Sequence, residues 1–286
     1  MVLATAIALA VWTIGGIQKG ESTMSNVAML GAGNNNVTSS SLSKVETSMV
    51  KYYDNTSGFL AKPAADDDGA GAGGGDSSNS SSSHAKYPGI VMVHEWWGLN
   101  DNIKEMARQM ASHGYVVLAV DLFRGQVTAD SSQAQALATG VRNNPGEAIK
   151  NLQAAVGYLR NSGFIDGNKV GSLGWCFGGD WSLQLALNEK MNATALYYGQ
   201  PVTDPKALSV IKWPVLGVFG SADQSIPVNH VNAFKQALDK DHIENEIYVY
   251  NGVGHAFANP SGPNYAPSET KDAWQKTLAF FDAHLK

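Results

Sequence analysis

Short apolar runs alternate along the chain with longer segments whose apolar residues recur at helical spacing. An apolar run of about four to eight residues is typical of a strand that is buried on both faces of a sheet. An earlier segment, residues 49–61, is interrupted by Asn55-Thr56-Ser57-Gly58 and predicts a β-hairpin. The runs that predict further strands are residues 89–94, 115–120, 170–173, 193–197, 215–219 and 244–250.

The amphipathic segments between these runs predict helices. Asn100 or Asp101 can cap the first helix, which Gly114 ends, and Asn144 with Pro145 opens a helix that stops before residue 163. Repeated strand–helix units predict an α/β fold class, a mostly parallel sheet with helices on both faces. Ligand sites in such sheets lie beyond the carboxyl ends of the strands. The other predicted helices are residues 131–141, 177–187, 228–238 and 267–285.

Three segments stand outside this alternating pattern. Residues 2–17 are almost entirely apolar, but they are fewer than the roughly 20 residues that cross a bilayer. We interpret residues 1–20 as a leader or membrane anchor, which favours an anchored or exported protein over a cytoplasmic one; a misannotated leader is the alternative. Residues 21–46 predict a flexible polar tether, and residues 64–84 predict a disordered surface loop. The α/β domain is then residues 47–286.

Composition and charge exclude several classes of function. Twenty Lys and Arg against 25 Asp and Glu give a net charge of −5, which argues against nucleic acid as a partner because phosphates bind a basic face. The single cysteine excludes an internal disulfide and a cysteine-based zinc site. No metal or other cofactor is predicted, and we expect a monomer. One cysteine is still sufficient for a reactive thiol.

The strongest motif is Gly174-Trp175-Cys176-Phe177-Gly178-Gly179, between a predicted strand and a predicted helix. It matches the nucleophile-elbow pattern G-x-S-x-G of the α/β-hydrolase fold, with cysteine in place of serine. The glycines let the backbone and the helix pass closely at a strained turn. The Cys176 sulfur would face a helix N-terminus, which favours the thiolate, and the Phe177 N–H would point at an oxyanion. The alternative is an ordinary buried cysteine in a glycine-rich turn.

Two further segments follow predicted strands and supply an acid and a base. In Gly220-Ser221-Ala222-Asp223, the Asp223 carboxylate can orient a histidine and stabilise its imidazolium, or it can cap the next helix. In Gly252-Val253-Gly254-His255, His255 would remove the thiol proton. The chain order Cys176, Asp223, His255 is the nucleophile–acid–base order of the α/β-hydrolase plan.

The segment His94-Glu95-Trp96-Trp97-Gly98-Leu99 follows the predicted strand 89–94. It is not an H-E-x-x-H zinc site, because its fifth residue is glycine and the segment is a loop. In the α/β-hydrolase plan this loop donates the second oxyanion N–H, here that of Trp96, and Glu95 would lie close to the sulfur. Trp96 and Trp97 either form an apolar wall for the substrate or simply pack under the loop.

Together these motifs resemble the dienelactone hydrolase family, α/β-hydrolases with a Cys-Asp-His triad. The resemblance covers residue 49 to the C-terminus and implies that Cys176 attacks an ester or lactone carbonyl, with Asp223 and His255 completing the triad. The matching stretches are 94–100 (H-E-W-W-G-L-N), 121–125 (D-L-F-R-G), 174–179 (G-W-C-F-G-G), 220–223 (G-S-A-D) and 254–257 (G-H-A-F).

The resemblance also implies roles for two charged residues and for one substitution. Glu95 would be the family's additional acid, which holds and activates the thiol, and Arg124 would be an arginine that binds the substrate carboxylate. Dienelactone-cleaving members carry a second arginine in a G-H-x-F-A-R run, where this chain has Asn259. Asparagine lacks the charge and the bidentate hydrogen bonds of a guanidinium. Dienelactone itself is therefore disfavoured as the substrate. We still expect Asn259 to contact the substrate.

A cysteine nucleophile narrows the class of substrate. The tetrahedral species can expel either the thiolate or the substrate's leaving group, and the group of lower pKa leaves faster. The sequence therefore predicts hydrolysis of activated, small-molecule esters or lactones through a thioester acyl-enzyme. Two alternatives remain open: a non-catalytic binding protein on the same scaffold, and an acyl transferase or peptidase.

Overall fold

The computed structural model describes residues 43–64 and 86–286. The predicted leader, the possible membrane tether at residues 2–17 and nearly all of the predicted loop at 64–84 lie outside the described residues. Only the last four residues of the predicted tether at 21–46 are described. Within the two described ranges, no helix is long and apolar enough to cross a membrane.

An eight-stranded sheet forms the centre of the fold, in the order β1-β2-β4-β3-β5-β6-β7-β8. The first two strands form an antiparallel hairpin, and the second is antiparallel to the fourth. The other five of the seven strand pairs are parallel. In chain order the strands are β1 (Val45–Tyr53), β2 (Thr56–Pro63), β3 (Tyr87–Val93), β4 (Val116–Val120), β5 (Ile165–Trp175), β6 (Ala193–Tyr197), β7 (Val215–Gly220) and β8 (Asn245–Tyr250).

Helices connect the parallel strands. Asn100 caps the first of them, because its side chain accepts a hydrogen bond from the Ile103 amide at 3.1 Å. Asn144 precedes the third helix without capping it; its side chain instead donates to the carbonyl of Gly140. The helices are α1 (Asp101–Ser112), α2 (Ser131–Arg142), α3 (Pro145–Asn161), α4 (Phe177–Asn188), α5 (Pro205–Leu208), α6 (Val228–Lys240) and α7 (Pro267–Leu285).

Two hydrophobic cores lie on opposite faces of the sheet. Alternate residues of β3 point into different cores, because successive side chains of a strand leave on opposite faces. Ile90 and Met92 join the core that includes residues of α1, α6 and α7. Val91 and Val93 join the core that includes residues of α3 and α4. The predicted α/β-hydrolase fold, a mostly parallel sheet with helices on both faces, is confirmed.

Several predicted boundaries differ from the observed ones. β1 begins at Val45, two residues before the predicted start of the domain, so the predicted tether overlaps the strand. The hairpin turn is shorter than predicted, because Thr56, Ser57 and Gly58 belong to β2. A Cβ on Gly58 would lie 2.8 Å from the Ala119 carbonyl oxygen, so this glycine serves close strand packing rather than a turn. β5 is longer than predicted, and α5 was not predicted.

Candidate active site

Cys176 occupies a sharp, strained turn between β5 and α4. Its φ of 53° lies in the left-handed region that non-glycine residues rarely adopt. The Cys176 amide donates to the Tyr197 carbonyl at 3.0 Å, and its carbonyl accepts from the Asp180 amide at 3.1 Å. A Cβ on Gly178 would lie 2.2 Å from the Val93 carbonyl oxygen, so only glycine fits there. The turn therefore has the geometry that the elbow motif predicts.

The side chains of Cys176, His255 and Asp223 form one hydrogen-bonded line. His255 Nε2 lies 3.1 Å from Cys176 Sγ, and His255 Nδ1 lies 2.7 Å from Asp223 Oδ2. The three residues follow the carboxyl ends of β5, β7 and β8, at the edge of the sheet where ligand sites are expected. The predicted acid, base and thiol are thus brought together.

The Asp223 carboxylate is held by both of its oxygens. Oδ1 accepts from the backbone amides of Ser225 at 2.8 Å and Ile226 at 3.1 Å, while Oδ2 faces the imidazole. Burial opposes the charged carboxylate, but the hydrogen bond from His255 and these two amides lower its pKa below the usual value. The residue before α6 is Pro227, so Asp223 does not cap that helix.

The His255 ring carries a strongly raised pKa. Burial disfavours the charged ring, but the hydrogen bonds to Asp223 and Cys176 outweigh it and raise the pKa of His255 to about 10. The imidazole is therefore charged at neutral pH. The Tyr198 ring packs edge-on against it, with 5.2 Å between the ring centroids.

The two predicted oxyanion amides lie on neighbouring strand ends. Val93 is paired with Gly174 between β3 and β5, and Trp96 and Phe177 each follow three residues later. Phe177 is the first residue of α4, so its N–H is one of the four that a helix leaves without an internal partner. Neither amide donates a hydrogen bond to another backbone group within the described ranges. The oxyanion role of these two amides stays a prediction.

Glu95 is buried beside this line of side chains, but its hydrogen-bond partner is Asn259. Asn259 Nδ2 donates to Glu95 Oε2 at 2.5 Å, and Glu95 is only 3% exposed. Burial raises the pKa of Glu95 to about 7, although the charge of His255 and the hydrogen bond from Asn259 oppose the shift. In the described part of the chain, no hydrogen bond joins Glu95 to Cys176.

The side chain of Asn259, which we predicted to contact the substrate, forms hydrogen bonds within the protein. Besides its bond to Glu95, its Oδ1 accepts from the Ser261 amide at 2.9 Å, so both ends of the side-chain amide are used within the protein. The residue is 6% exposed. The short amide turns inward to a buried carboxylate, and its contact with a substrate stays a prediction.

Residues 77–285 match the family model described as the dienelactone hydrolase family. The chain belongs to the dienelactone hydrolase family. The predicted family and enzyme class, a hydrolase of carboxylic esters or lactones, are thereby confirmed. Protein usf of Aquifex pyrophilus is 30% identical over 205 residues, which are 69% of this chain and 89% of that protein. A carboxymethylenebutenolidase-named protein of Methylorubrum extorquens is 32% identical over 209 residues, covering 68% of this chain and 72% of that one.

Solved structures agree on the fold of this family member. The crystal structure of a dienelactone hydrolase-like promiscuous phosphotriesterase from metagenomic libraries has a TM-score of 0.71 at 22% identity. The match covers 85% of this chain and 99% of that chain. At this level of identity, the likeness shows the fold alone.

Arg124, which the family resemblance assigned to the substrate carboxylate, contacts a different element. Its guanidinium pairs with Glu147 of α3 at 3.1 Å, and the side chain is 70% exposed. Arg124 has a φ of 53°, which turns the chain after β4. In this structure Arg124 thus pairs with an acid of another element, and its binding of a substrate carboxylate stays a prediction.

The two tryptophans are half-buried, and their rings contact each other. Their ring centroids are 4.9 Å apart in an edge-to-face arrangement. Trp96 also packs against the core that includes residues of α3 and α4. The Thr128 amide donates to the Trp97 carbonyl at 3.1 Å. Packing under the loop therefore accounts for part of each ring, and the exposed part of each remains available to a ligand.

His94 is a buried structural histidine. Its Nδ1 lies 2.6 Å from the Glu95 carbonyl oxygen, and its Nε2 accepts from the Leu122 amide at 3.1 Å. Burial lowers the pKa of His94, so the ring is neutral and joins the loops after β3 and β4. Within the described residues, no group of three His, Cys, Asp or Glu side chains could hold a metal ion.

One charged pair beside the elbow was not predicted from the sequence. Arg142 of α2 pairs with Asp180 of α4 at 3.0 Å, and its guanidinium lies 5.5 Å from the centre of the Phe177 ring. Asp180 also accepts from the amide of Gln200. The only sequence signal was an acidic residue in the first turn of α4, where a carboxylate complements the helix dipole.

Proposed function

We propose that this family member hydrolyses activated esters or lactones through a thioester formed on Cys176. One observation carries the proposal: the Cys176 sulfur lies 3.1 Å from a His255 ring whose other nitrogen is bonded to Asp223. A nucleophile, a base within hydrogen-bond reach and a group that orients the base are the parts that covalent acyl transfer needs.

Acylation begins with the thiolate paired to the protonated His255. The sulfur forms a bond to the carbonyl carbon, and the electron pair of the C=O bond moves to the oxygen. The amides of Trp96 and Phe177 stabilise that oxyanion. When the oxyanion collapses, the bond to the leaving oxygen breaks and the leaving group takes the proton from His255. The products of this half are a thioester on Cys176 and a free alcohol, or the opened chain of a lactone.

Deacylation uses the same groups in the reverse order. Neutral His255 takes a proton from water, and the water oxygen attacks the thioester carbon at the same oxyanion site. Collapse of the second tetrahedral species breaks the carbon–sulfur bond and releases a carboxylic acid. The thiolate and the imidazolium are then restored. Asp223 stays ionised throughout and stabilises the charged ring.

Trapping the acyl-enzyme tests the proposal directly. Intact-mass analysis after brief exposure to p-nitrophenyl acetate, with an acid quench, should show one added acetyl group. The Cys176→Ala variant should show no adduct and no turnover. An adduct on another residue, or turnover retained by Cys176→Ala, would contradict the proposal. Products formed with an added amine or alcohol then distinguish hydrolysis from acyl transfer.

A further inference from the structure

Arg142 lies beside the first turn of α4, the helix that follows the thiol. Its guanidinium forms an ion pair with Asp180 at 3.0 Å and lies 5.5 Å from the centre of the Phe177 ring. The Arg142 side chain is 47% exposed, whereas that of Asp180 is 22% exposed. The acid is therefore the more deeply buried member of the pair, and solvent screens its charge less.

Asp180 connects this ion pair to the proposed reacting groups. Its amide donates to the carbonyl of Cys176 at 3.1 Å, and its carboxylate accepts from the amide of Gln200 in the loop after β6. Burial raises the pKa of Asp180, although the hydrogen bonds from Gln200 and Arg142 and the charge of His255 oppose the shift. The carboxylate is thus close enough to the His255 ring for their charges to interact.

Three acidic side chains interact with the charge of His255, namely Asp180, Asp223 and Glu95. Asp223 pairs with the imidazole itself, and Glu95 accepts from a neutral amide. In residues 43–64 and 86–286, neither of these two acids forms an ion pair with a lysine or an arginine. Asp180 differs from them because its partner is a guanidinium, which stays charged at every working pH.

We propose that Arg142 determines which substrate charge the site accepts, because it cancels the charge of Asp180 beside the thiol and so admits small esters that carry a carboxylate. The inference deepens the proposed function and rests on it. Without Arg142, the unpaired Asp180 carboxylate would repel an anionic ester, while a neutral ester would be little affected. Without the charge of Asp180, the unpaired guanidinium would attract the same anion. Arg142 acts through the charge of the pair and needs no direct contact with the substrate.

Two esters that differ by one charge test the inference. The anion 4-acetoxybenzoate and the neutral 4-acetoxybenzamide carry the same acetyl group on similar phenols. At pH 8 and low salt, Arg142→Gln should lower the ratio of kcat/KM for the anion to that for the neutral ester about three- to fivefold. Asp180→Asn, which keeps an oxygen for the Gln200 amide, should raise that ratio by a similar factor. The double variant should restore the wild-type ratio to within about twofold, and about 0.5 M NaCl should reduce both shifts.

Opposite signs distinguish a charge effect from a loss of structure. Both single variants break the same ion pair, so a purely structural role predicts that the ratio moves in the same direction in both or in neither. Either result would overturn the inference. Arg108→Gln is the matched control, because Arg108 pairs with Glu105 at 3.2 Å and lies 4.9 Å from the centre of the Phe59 ring. It should leave the ratio unchanged.

Alkylation of Cys176 gives a second measurement that needs no turnover. The chain has a single cysteine, so iodoacetate and iodoacetamide label the same thiol. The ratio of their rates compares an anion with a neutral reagent, and the fraction of thiolate cancels in it. Arg142→Gln should lower this ratio and Asp180→Asn should raise it, even if neither ester is hydrolysed and the proposed function fails. Unchanged alkylation and hydrolysis ratios in both variants would reject the inference while leaving the Cys176 chemistry intact.

Discussion

Asn259 holds the carboxylate of Glu95 inside the protein, with 2.5 Å between Nδ2 and Oε2. The donor is a neutral amide, so Glu95 has no cation as a direct hydrogen-bond partner. Burial consequently raises the pKa of Glu95 to about 7. The carboxyl group therefore changes its charge near neutral pH, close enough to His255 for the two charges to interact.

Replacing Glu95 by Gln should stabilise the protein at alkaline pH. Between about pH 4.5 and 7 the unfolded Glu95 has lost its proton while the folded one keeps it, so wild-type stability falls as the pH rises. Glu95→Gln lacks this titration. It should match the wild type at pH 4 and exceed it at pH 8 by about 3 kcal/mol in the free energy of unfolding.

Urea unfolding at both pH values measures this difference. Glu105→Gln is the control, because Glu105 is exposed on α1 and pairs with Arg108 on the same helix. The free energy of unfolding of Glu105→Gln should differ from that of the wild type by about the same amount at pH 4 and at pH 8. If Glu95→Gln differed from the wild type by the same free energy of unfolding at pH 4 and at pH 8, the pKa of Glu95 would be normal in the folded protein.

The sequence could predict the elbow and the triad geometry because both depend on local signals. A glycine-flanked Cys176 between a strand and a helix has few backbone solutions, and Asp223 and His255 each follow a parallel strand. Parallel strands end at the same edge of the sheet, so the three residues had to converge. The directions of Arg124 and Asn259 could not be predicted, because they depend on acids contributed by distant elements.

Asp223→Asn should lose most of the hydrolytic activity. An amide cannot stabilise the imidazolium, so the pKa of His255 should fall from about 10 and the thiolate should lose its charged partner. We expect kcat/KM for p-nitrophenyl acetate at pH 7 to fall about a thousandfold or more. Asp239→Asn is the control, because the Asp239 carboxylate accepts hydrogen bonds from Lys235 and Asn245 on the surface.

A full pH profile shows whether the loss arises from the triad. Wild-type activity should vary little between pH 7 and pH 9, because the pKa of His255 is raised to about 10 and its ring stays charged there. Asp223→Asn should show a new pH dependence within that range. An unchanged profile with reduced amplitude would point to misfolding instead.

Gly178→Ala should destabilise the whole domain. The added Cβ would lie 2.2 Å from the Val93 carbonyl oxygen and 2.5 Å from that of His94, and backbone atoms of a central strand cannot move aside. We expect a loss of about 3 kcal/mol or more in the free energy of unfolding. Gly157→Ala, where the new Cβ meets no described atom within 4 Å, should instead stabilise by up to about 1 kcal/mol. Similar midpoints for both variants in urea would contradict the close crossing of α4 and β3.

The boundary between hairpin and turn shows where composition misleads. Thr56, Ser57 and Gly58 are residue types that are common in turns, yet they belong to β2 and pair with residues of β1. Tyr52 lies on the same hairpin and gave no sequence signal. Its side chain nevertheless joins the hairpin to the loop after β4, through contacts that only the tertiary fold creates.

Tyr52→Phe tests that connection. The Tyr52 hydroxyl donates to Asn151 Oδ1 at 2.7 Å and accepts from the Asp121 amide at 3.1 Å. Removing it leaves both partners without this bond in a mostly buried network, which should cost about 1–3 kcal/mol in urea unfolding. Tyr265→Phe, at an exposed tyrosine, is the control and should cost little. Equal stability losses in the two variants would show that the Tyr52 hydroxyl does not hold the hairpin to that loop.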